Sequence, residues 1–181
     1  RGLGDVYKRQ VSDDGRPVES ANMMAQAMVK AHYAGLKVIS HCEDLEIIDG
    51  GIINKGKISQ QLGVKGMSRL SEDIITAREL AIAQDTQMPI HIAHVSTKGS
   101  VNTIRGNTHI GVMCTCETAP HYFMMTDEKL LSRDADYRMN PPLREEDDVM
   151  AITAAITDGT IDCIVTDHAP HSAEEKADFE K

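Results

Sequence analysis

A chain of 181 residues, 41% hydrophobic and 26% charged, is long enough for one domain with a sizeable core and too mixed for a fibrous or disordered class. Its net charge of -9 leaves no basic footprint for nucleic acid or an anionic membrane, and no apolar run reaches the ~20 residues that span a bilayer. Four cysteines are too sparse for a disulfide scaffold and no secretory leader is visible, so a cytoplasmic protein with packed, structural thiols is expected; Cys114 and Cys116 form Cys-x-Cys without a second pair at zinc-finger spacing.

In chain order, residues 1–10 are polar, contain glycine and carry no period. They read as a non-native leader or scar, with the folded domain expected over 11–181. Val11 to Gly15 resembles the end of a strand. Ala21, Met24, Ala25, Met28 and Ala31 or His32 recur at helical spacing, with Gly35 as the C-terminal stop. Residues 36–41 make a short apolar strand ending in His41. Residues 42–66 read as a long, glycine-rich connection, which in a compact domain is usually functional. Ser71 is the expected N-cap of the next helix, with Glu72 and Asp73 in its first turn and Ile74, Ala77, Leu80 and Ala81 as its buried stripe. Residues 88–94 form a strand ending in His94. Ser96 is expected to cap a short helix reaching about Arg105. Residues 109–117 alternate as a strand, with His109 at its start. Residues 133–144 form a loop, because Pro141-Pro142 excludes a central strand. A helix with acidic residues at 145–148 and an apolar face of Val149, Ile152 and Ile156 leads past Gly159 to a buried strand over 161–165. That strand ends in Asp167-His168-Ala169-Pro170-His171.

Strand and helix alternate, which means βαβ units and a parallel sheet. No Gly-x-Gly-x-x-Gly follows any strand, so a dinucleotide fold has no support. An open doubly wound sheet and a slice of a barrel both remain, and ligand-type residues at successive strand ends favour the barrel, whose strands point at one centre. Asp14, His41, His94 and Asp167 each sit at a different strand tip. Imidazole and carboxylate bind zinc and can leave a position open for water, whose pKa the metal lowers toward ~7. Singly, each has an ordinary reading: a strand-end histidine is more often hydrogen-bonded structure, Asp13-Asp14-Gly15 is a turn signal, and Asp167 can cap a helix. Together they favour a metal-assisted hydrolase. His91, three positions before His94, is assigned to packing or to supporting the ligands, and His121 to structural support. His32 and His109 have no partner pattern.

Asp13-Asp14-Gly15, His41-Cys42-Glu43-Asp44, His94-Val95-Ser96-Thr97, Met139-Asn140-Pro141-Pro142-Leu143-Arg144 and Thr166-Asp167-His168-Ala169-Pro170-His171 resemble the bacterial type I dihydroorotases of the amidohydrolase superfamily. The likeness runs from about Val11 to Lys181, in family order. It implies a (β/α)8 TIM barrel with two zinc ions per complete active site. Asp14 would bridge the metals, His41 and His94 would hold the second, and Asp167 would be both ligand and catalytic proton shuttle. Asn140 and His171 would contact the substrate. The implied reaction interconverts N-carbamoyl-L-aspartate and L-dihydroorotate in pyrimidine biosynthesis. In the hydrolytic direction, hydroxide attacks the ring amide carbonyl and Asp167 protonates the departing nitrogen. A homodimer or an aspartate transcarbamoylase partner is also implied.

The family's first strand carries His-x-His-x-Arg, and nothing before Asp14 matches it. The chain is therefore expected to be an internal piece holding about strands 4 to 8 of the barrel, and to be inactive alone. Two alternatives stand beside this reading. A hydantoinase, dihydropyrimidinase or allantoinase would use the same chemistry, but a lysine is expected where Asp14 stands and the Asn-Pro-Pro-Leu-Arg loop would differ. A non-catalytic dihydroorotase-like scaffold subunit typically loses metal ligands, whereas every ligand position covered by this chain is filled.

Overall fold

A computed structural model describes residues 10–180. Apart from Gln10, the segment read as a leader lies outside the described residues, and Gln10 is the first residue of a strand. The elements are β1 (Gln10–Ser12), α1 (Ala21–Tyr33), β2 (Lys37–Ser40), α2 (Leu45–Ile48), β3 (Ile53–Asn54), α3 (Lys57–Leu62), β4 (Gly66–Met67), α4 (Leu70–Thr86), β5 (Ile90–Ile92), α5 (Lys98–His109), β6 (Cys114–Thr118), α6 (His121–Met124), α7 (Glu146–Thr157) and β7 (Cys163–Ile164). Two 3-10 turns, Asp127–Ser132 and Ala135–Tyr137, shape the connection between α6 and α7.

Five strands form one parallel sheet in the order β1-β2-β5-β6-β7. Each lies beside its predecessor in that sheet and helices make every crossover. This is the winding of a barrel wall; a doubly wound sheet reverses its order midway. All five C-terminal ends point the same way, so residues just past them gather on one rim. The main core lies between the sheet and its helices. Met24, Met28, Leu80, Ile90, Ile92, Ile104 and Ile152 are its largest fully buried apolar side chains.

Local chemistry sets the elements. The Ser20 hydroxyl accepts the Met23 amide at 3.2 Å and starts α1, whose Met24, Met28 and Ala31 face the core at the spacing seen in the sequence. Gly35, at φ 69°, supplies the left-handed turn into β2.

The structure departs from the sequence pattern in several elements. Residues 42–66 are not a featureless connection: they hold α2, the parallel pair β3 and β4, and α3, with Ile53 and Ile58 in a small second core beside Leu130 and Phe179. Strands of two residues are too short to leave a period. The buried face of α4 is turned from the expected stripe. Ile74, Ala77 and Ala81 are exposed, and Ile75, Thr76, Glu79, Leu80 and Ala83 are buried. That face mixes apolar with hydrogen-bonded polar groups, so hydrophobicity alone did not mark it. Arg69, not Ser71, stands at the N-cap of α4, and Thr97, not Ser96, caps α5 by accepting the Ser100 amide. His109 ends α5 and does not begin a strand; Gly111, at φ 88°, turns the chain before β6. Finally, β7 is exposed, not buried, because among the described residues it pairs only with β6. Cys163 on β7 is correspondingly exposed, while Cys42 and Cys116 are buried and all four cysteines are free.

Candidate metal centre

Asp14 follows β1, His41 follows β2 and His94 follows β5, three neighbouring strands of the sheet. His41 Nδ1 lies 2.8 Å from His94 Nε2 and 3.4 Å from Asp14 Oδ1. The two nitrogens and the carboxylate oxygen are all within 4.8 Å of one another. Both histidines are buried, whereas the Asp14 side chain is 59% exposed, so the cluster opens to solvent on that side.

The turns that deliver these groups are fixed by backbone hydrogen bonds. Asp13 Oδ1 accepts the His41 amide at 2.8 Å, and Oδ2 accepts the Val18 amide at 2.9 Å, tying the loop after β1 to the tip of β2. His94 sits at φ 31°, in the left-handed region that side chains rarely enter. Its neighbours hold it there: the Ala93 amide donates to Ser40 O at 3.0 Å and the Val95 amide to Glu117 O at 2.8 Å.

The electrostatics of the two rings differ. Burial pulls His41 down, but the hydrogen bond and charge of Glu43, with Asp14 and Asp13, outweigh it and leave its pKa raised. Burial lowers His94, and neighbouring His41 lowers it further. Two ring nitrogens facing each other need a proton or a cation between them. The donor set also fits a divalent cation of the zinc type, which takes imidazole nitrogen and carboxylate oxygen. His94 Nδ1 is buried and has no hydrogen-bond partner among the described residues, so the ring's position is not explained by ordinary polar pairing.

The other expected site residues are placed around this cluster. Asp167 is not within it. Asp167 lies three residues past β7, exposed and at φ 46°, near enough for its charge to oppose in part the burial that lowers the pKa of His94 and of His121. Asn140 and His171 line one cleft of about 500 Å³ together with Glu43, and Asn140 Nδ2 donates to Glu43 Oε1 at 2.6 Å. The exposed His171 ring lies 3.6 Å from Glu175 Oε2. His91 is buried on β5, hydrogen-bonded to Thr115 Oγ1 at 2.8 Å and Glu117 Oε2 at 3.0 Å, with the Cys163 thiol nearby.

Four further residues build the rim: Asp13, Glu43, Glu72 and Arg144. Asp13, Glu43 and Arg144 stand inside the motifs that carry the family resemblance, and that placement is the only signal the sequence offers for them. Glu72, placed by the sequence only in a helix's first turn, forms a buried ion pair with Arg144 at 3.2 Å, and nothing local announces that pairing. Glu72 also accepts the Ser96 and Thr97 amides at 2.9 and 3.1 Å, clamping the chain two residues past His94.

A family model described as "Dihydro-orotase-like" matches residues 5–100. The chain is 54% identical over 166 residues to a dihydroorotase of Trichlorobacter lovleyi, covering 92% of this chain and 39% of that protein. It is 51% identical over 177 residues to one of Geobacter sulfurreducens, covering 96% and 42%. The chain thus spans about two fifths of the length of these curated relatives. Among solved structures, a dihydropyrimidinase from Brevibacillus agri superposes with a TM-score of 0.77 at 22% identity, over 94% of this chain and 40% of that one. An L-hydantoinase from Arthrobacter aurescens does so at 0.76 and 19% identity, over 94% and 39%. At such identities the structural likeness concerns the fold.

Proposed function

The chain belongs to the dihydro-orotase-like family, and from that premise we propose that the whole protein is a zinc-dependent cyclic amide hydrolase interconverting N-carbamoyl-L-aspartate and L-dihydroorotate. The observation that carries this reading is the convergence of Asp14, His41 and His94 within 4.8 Å at adjacent strand tips. Bound there, zinc would polarise an amide carbonyl and lower the pKa of water. Asp14, His41 and His94 would hold the cation. Asp167, exposed on the same rim, would take a proton from the attacking water and return it to the departing ring nitrogen. Asn140 and His171, which share a cleft, would orient the substrate. No helix among the described residues is long and apolar enough to cross a membrane. A cytoplasmic location, and assembly as a homodimer or with an aspartate transcarbamoylase, belong to the same proposal.

The test is an assay of the whole protein on dihydroorotate, hydantoin and allantoin, beside metal analysis before and after chelation. Turnover of dihydroorotate that chelator abolishes and Zn(II) restores is expected, and His94→Ala should remove both the activity and at least part of the bound metal. Turnover of hydantoin or allantoin with none of dihydroorotate would move the protein to a neighbouring amidase class. Full activity in His94→Ala would remove the metal reading altogether.

A further inference from the structure

We infer that Glu43 is a positioning residue that couples the metal-holding ring of His41 to the substrate-facing amide of Asn140. The inference deepens the proposed function and rests on it. One carboxylate oxygen, Oε2, lies 3.2 Å from His41 Nε2, and the other, Oε1, accepts the Asn140 Nδ2–H at 2.6 Å. The Glu43 side chain is only 12% exposed, so both contacts act largely out of water. Both of its oxygens are committed, one to each half of the site.

The local chain explains the placement. After β2 the backbone runs on through Cys42 and Glu43 to Asp44, which is extended and caps α2. Cys42 packs into the core. His41 and Glu43, on either side of Cys42, both reach the rim, where their side chains meet. Asn140 arrives from 97 residues away in sequence, so its contact with Glu43 is made only by the fold.

The consequence is chemical. A carboxylate at Nε2 holds the proton on that nitrogen, leaving the Nδ1 lone pair turned toward Asp14 Oδ1 and His94 Nε2. Engaging the Asn140 nitrogen with Glu43 leaves the amide oxygen as the group offered to the cleft. A single carboxylate therefore sets the tautomer of one ligand and the orientation of one substrate contact.

The experiment compares Glu43→Gln, Glu43→Asp and Asn140→Ala in the whole protein. Zn(II) affinity is read by competition with a chromophoric chelator, ligand geometry by the visible spectrum of the Co(II)-loaded protein, and kcat and KM on dihydroorotate. Glu43→Gln should bind Zn(II) about 10- to 100-fold more weakly, shift the Co(II) bands and raise KM. Asn140→Ala should raise KM with Zn(II) affinity within twofold of the parent. Glu43→Asp keeps the charge but is one methylene short of spanning both partners, so it should lose at least one of the two effects; it also covers the case in which Glu43→Gln does not fold. Parental metal affinity, spectrum and KM in either Glu43 variant overturn the coupling and leave the hydrolase reading intact. A parent protein that neither binds Zn(II) nor turns over dihydroorotate overturns the hydrolase reading itself.

Discussion

Replacing Arg144 with Met should strip the site of the cation beneath it. Arg144 is 4% exposed and closes the Asn140-Pro141-Pro142-Leu143-Arg144 loop. Its Nη2 donates to Glu72 Oε2 at 3.2 Å, its Nε to Ser96 Oγ at 3.0 Å and its Nη1 to Asn54 Oδ1 at 3.2 Å. Methionine fills most of the volume but leaves Glu72 buried and unpaired. Breaking a buried pair from one side costs about 3–5 kcal/mol, chiefly the burden of the orphaned charge. The loss should be read by urea unfolding of Arg144→Met, Glu72→Gln and the double variant. Once both charges are gone the orphan no longer exists, so the double variant should cost about 2 kcal/mol less than the sum of the singles. The pH dependence gives a second check. Without Arg144, burial dominates and pushes the Glu72 carboxyl up; protonation then relieves the cost, so the deficit of Arg144→Met should shrink as pH falls from 7 to 5. A cost below ~1 kcal/mol, or a strictly additive cycle, would refute the claim that this pair anchors the rim.

In the parent protein the same group acts with the opposite sign. Burial raises Glu72, but Arg144 and the Ser96 donors outweigh it and hold its pKa below the ordinary value of 4.5. Its stabilisation is therefore present above pH ~4.5 and lost as pH falls through the lowered folded value, and Glu72→Gln should lack that part of the acid sensitivity; equally steep profiles for both in urea titrations between pH 6 and 3 would count against it. A Cβ on Gly51 would stand 2.6 Å from the backbone of Gly66 and Met67, so Gly51→Ala should cost about 1–3 kcal/mol by forcing β4 away. Gly106 lies inside α5 with nothing within 4 Å of its would-be Cβ, and Gly106→Ala should instead stabilise by about 0.5–1 kcal/mol; thermal midpoints moving in the same direction for both would contradict the packing argument. The buried Tyr122 hydroxyl donates to Pro141 O at 2.7 Å, so Tyr122→Phe should cost about 0.5–1.5 kcal/mol and raise KM through the loop that carries Asn140; a stabilised variant with parental KM would show that the tether is idle.

The site's construction separates two kinds of constraint. The residues proposed to hold the cation, Asp14, His41 and His94, sit at strand tips, where the sheet's common direction gathers them. The groups that aim them come from elsewhere: Asp13 from the preceding residue, Glu43 from two positions on, and Glu72 and Arg144 from α4 and a distant loop. This is the usual division between a rigid scaffold and the hydrogen bonds that orient what it carries.

The amino-acid sequence by itself determined the alternation of strands and helices, the tips at His41, His94 and Asp167, the acidic turn at Asp13-Asp14 and the buried face of α1. Each of these is written in a local period or a punctuating residue. The tertiary structure alone decided which of those tips meet, drawing Asp14, His41 and His94 into one cluster and leaving Asp167 exposed beside it. It also decided the rotation of α4, the insertion of β3 and β4, and the burial of Glu72 against Arg144, 72 residues away. Periodicity reports which side chains prefer water on average. A buried charge goes against that preference, and it is tolerated only because a partner remote in the chain offsets the cost of its desolvation.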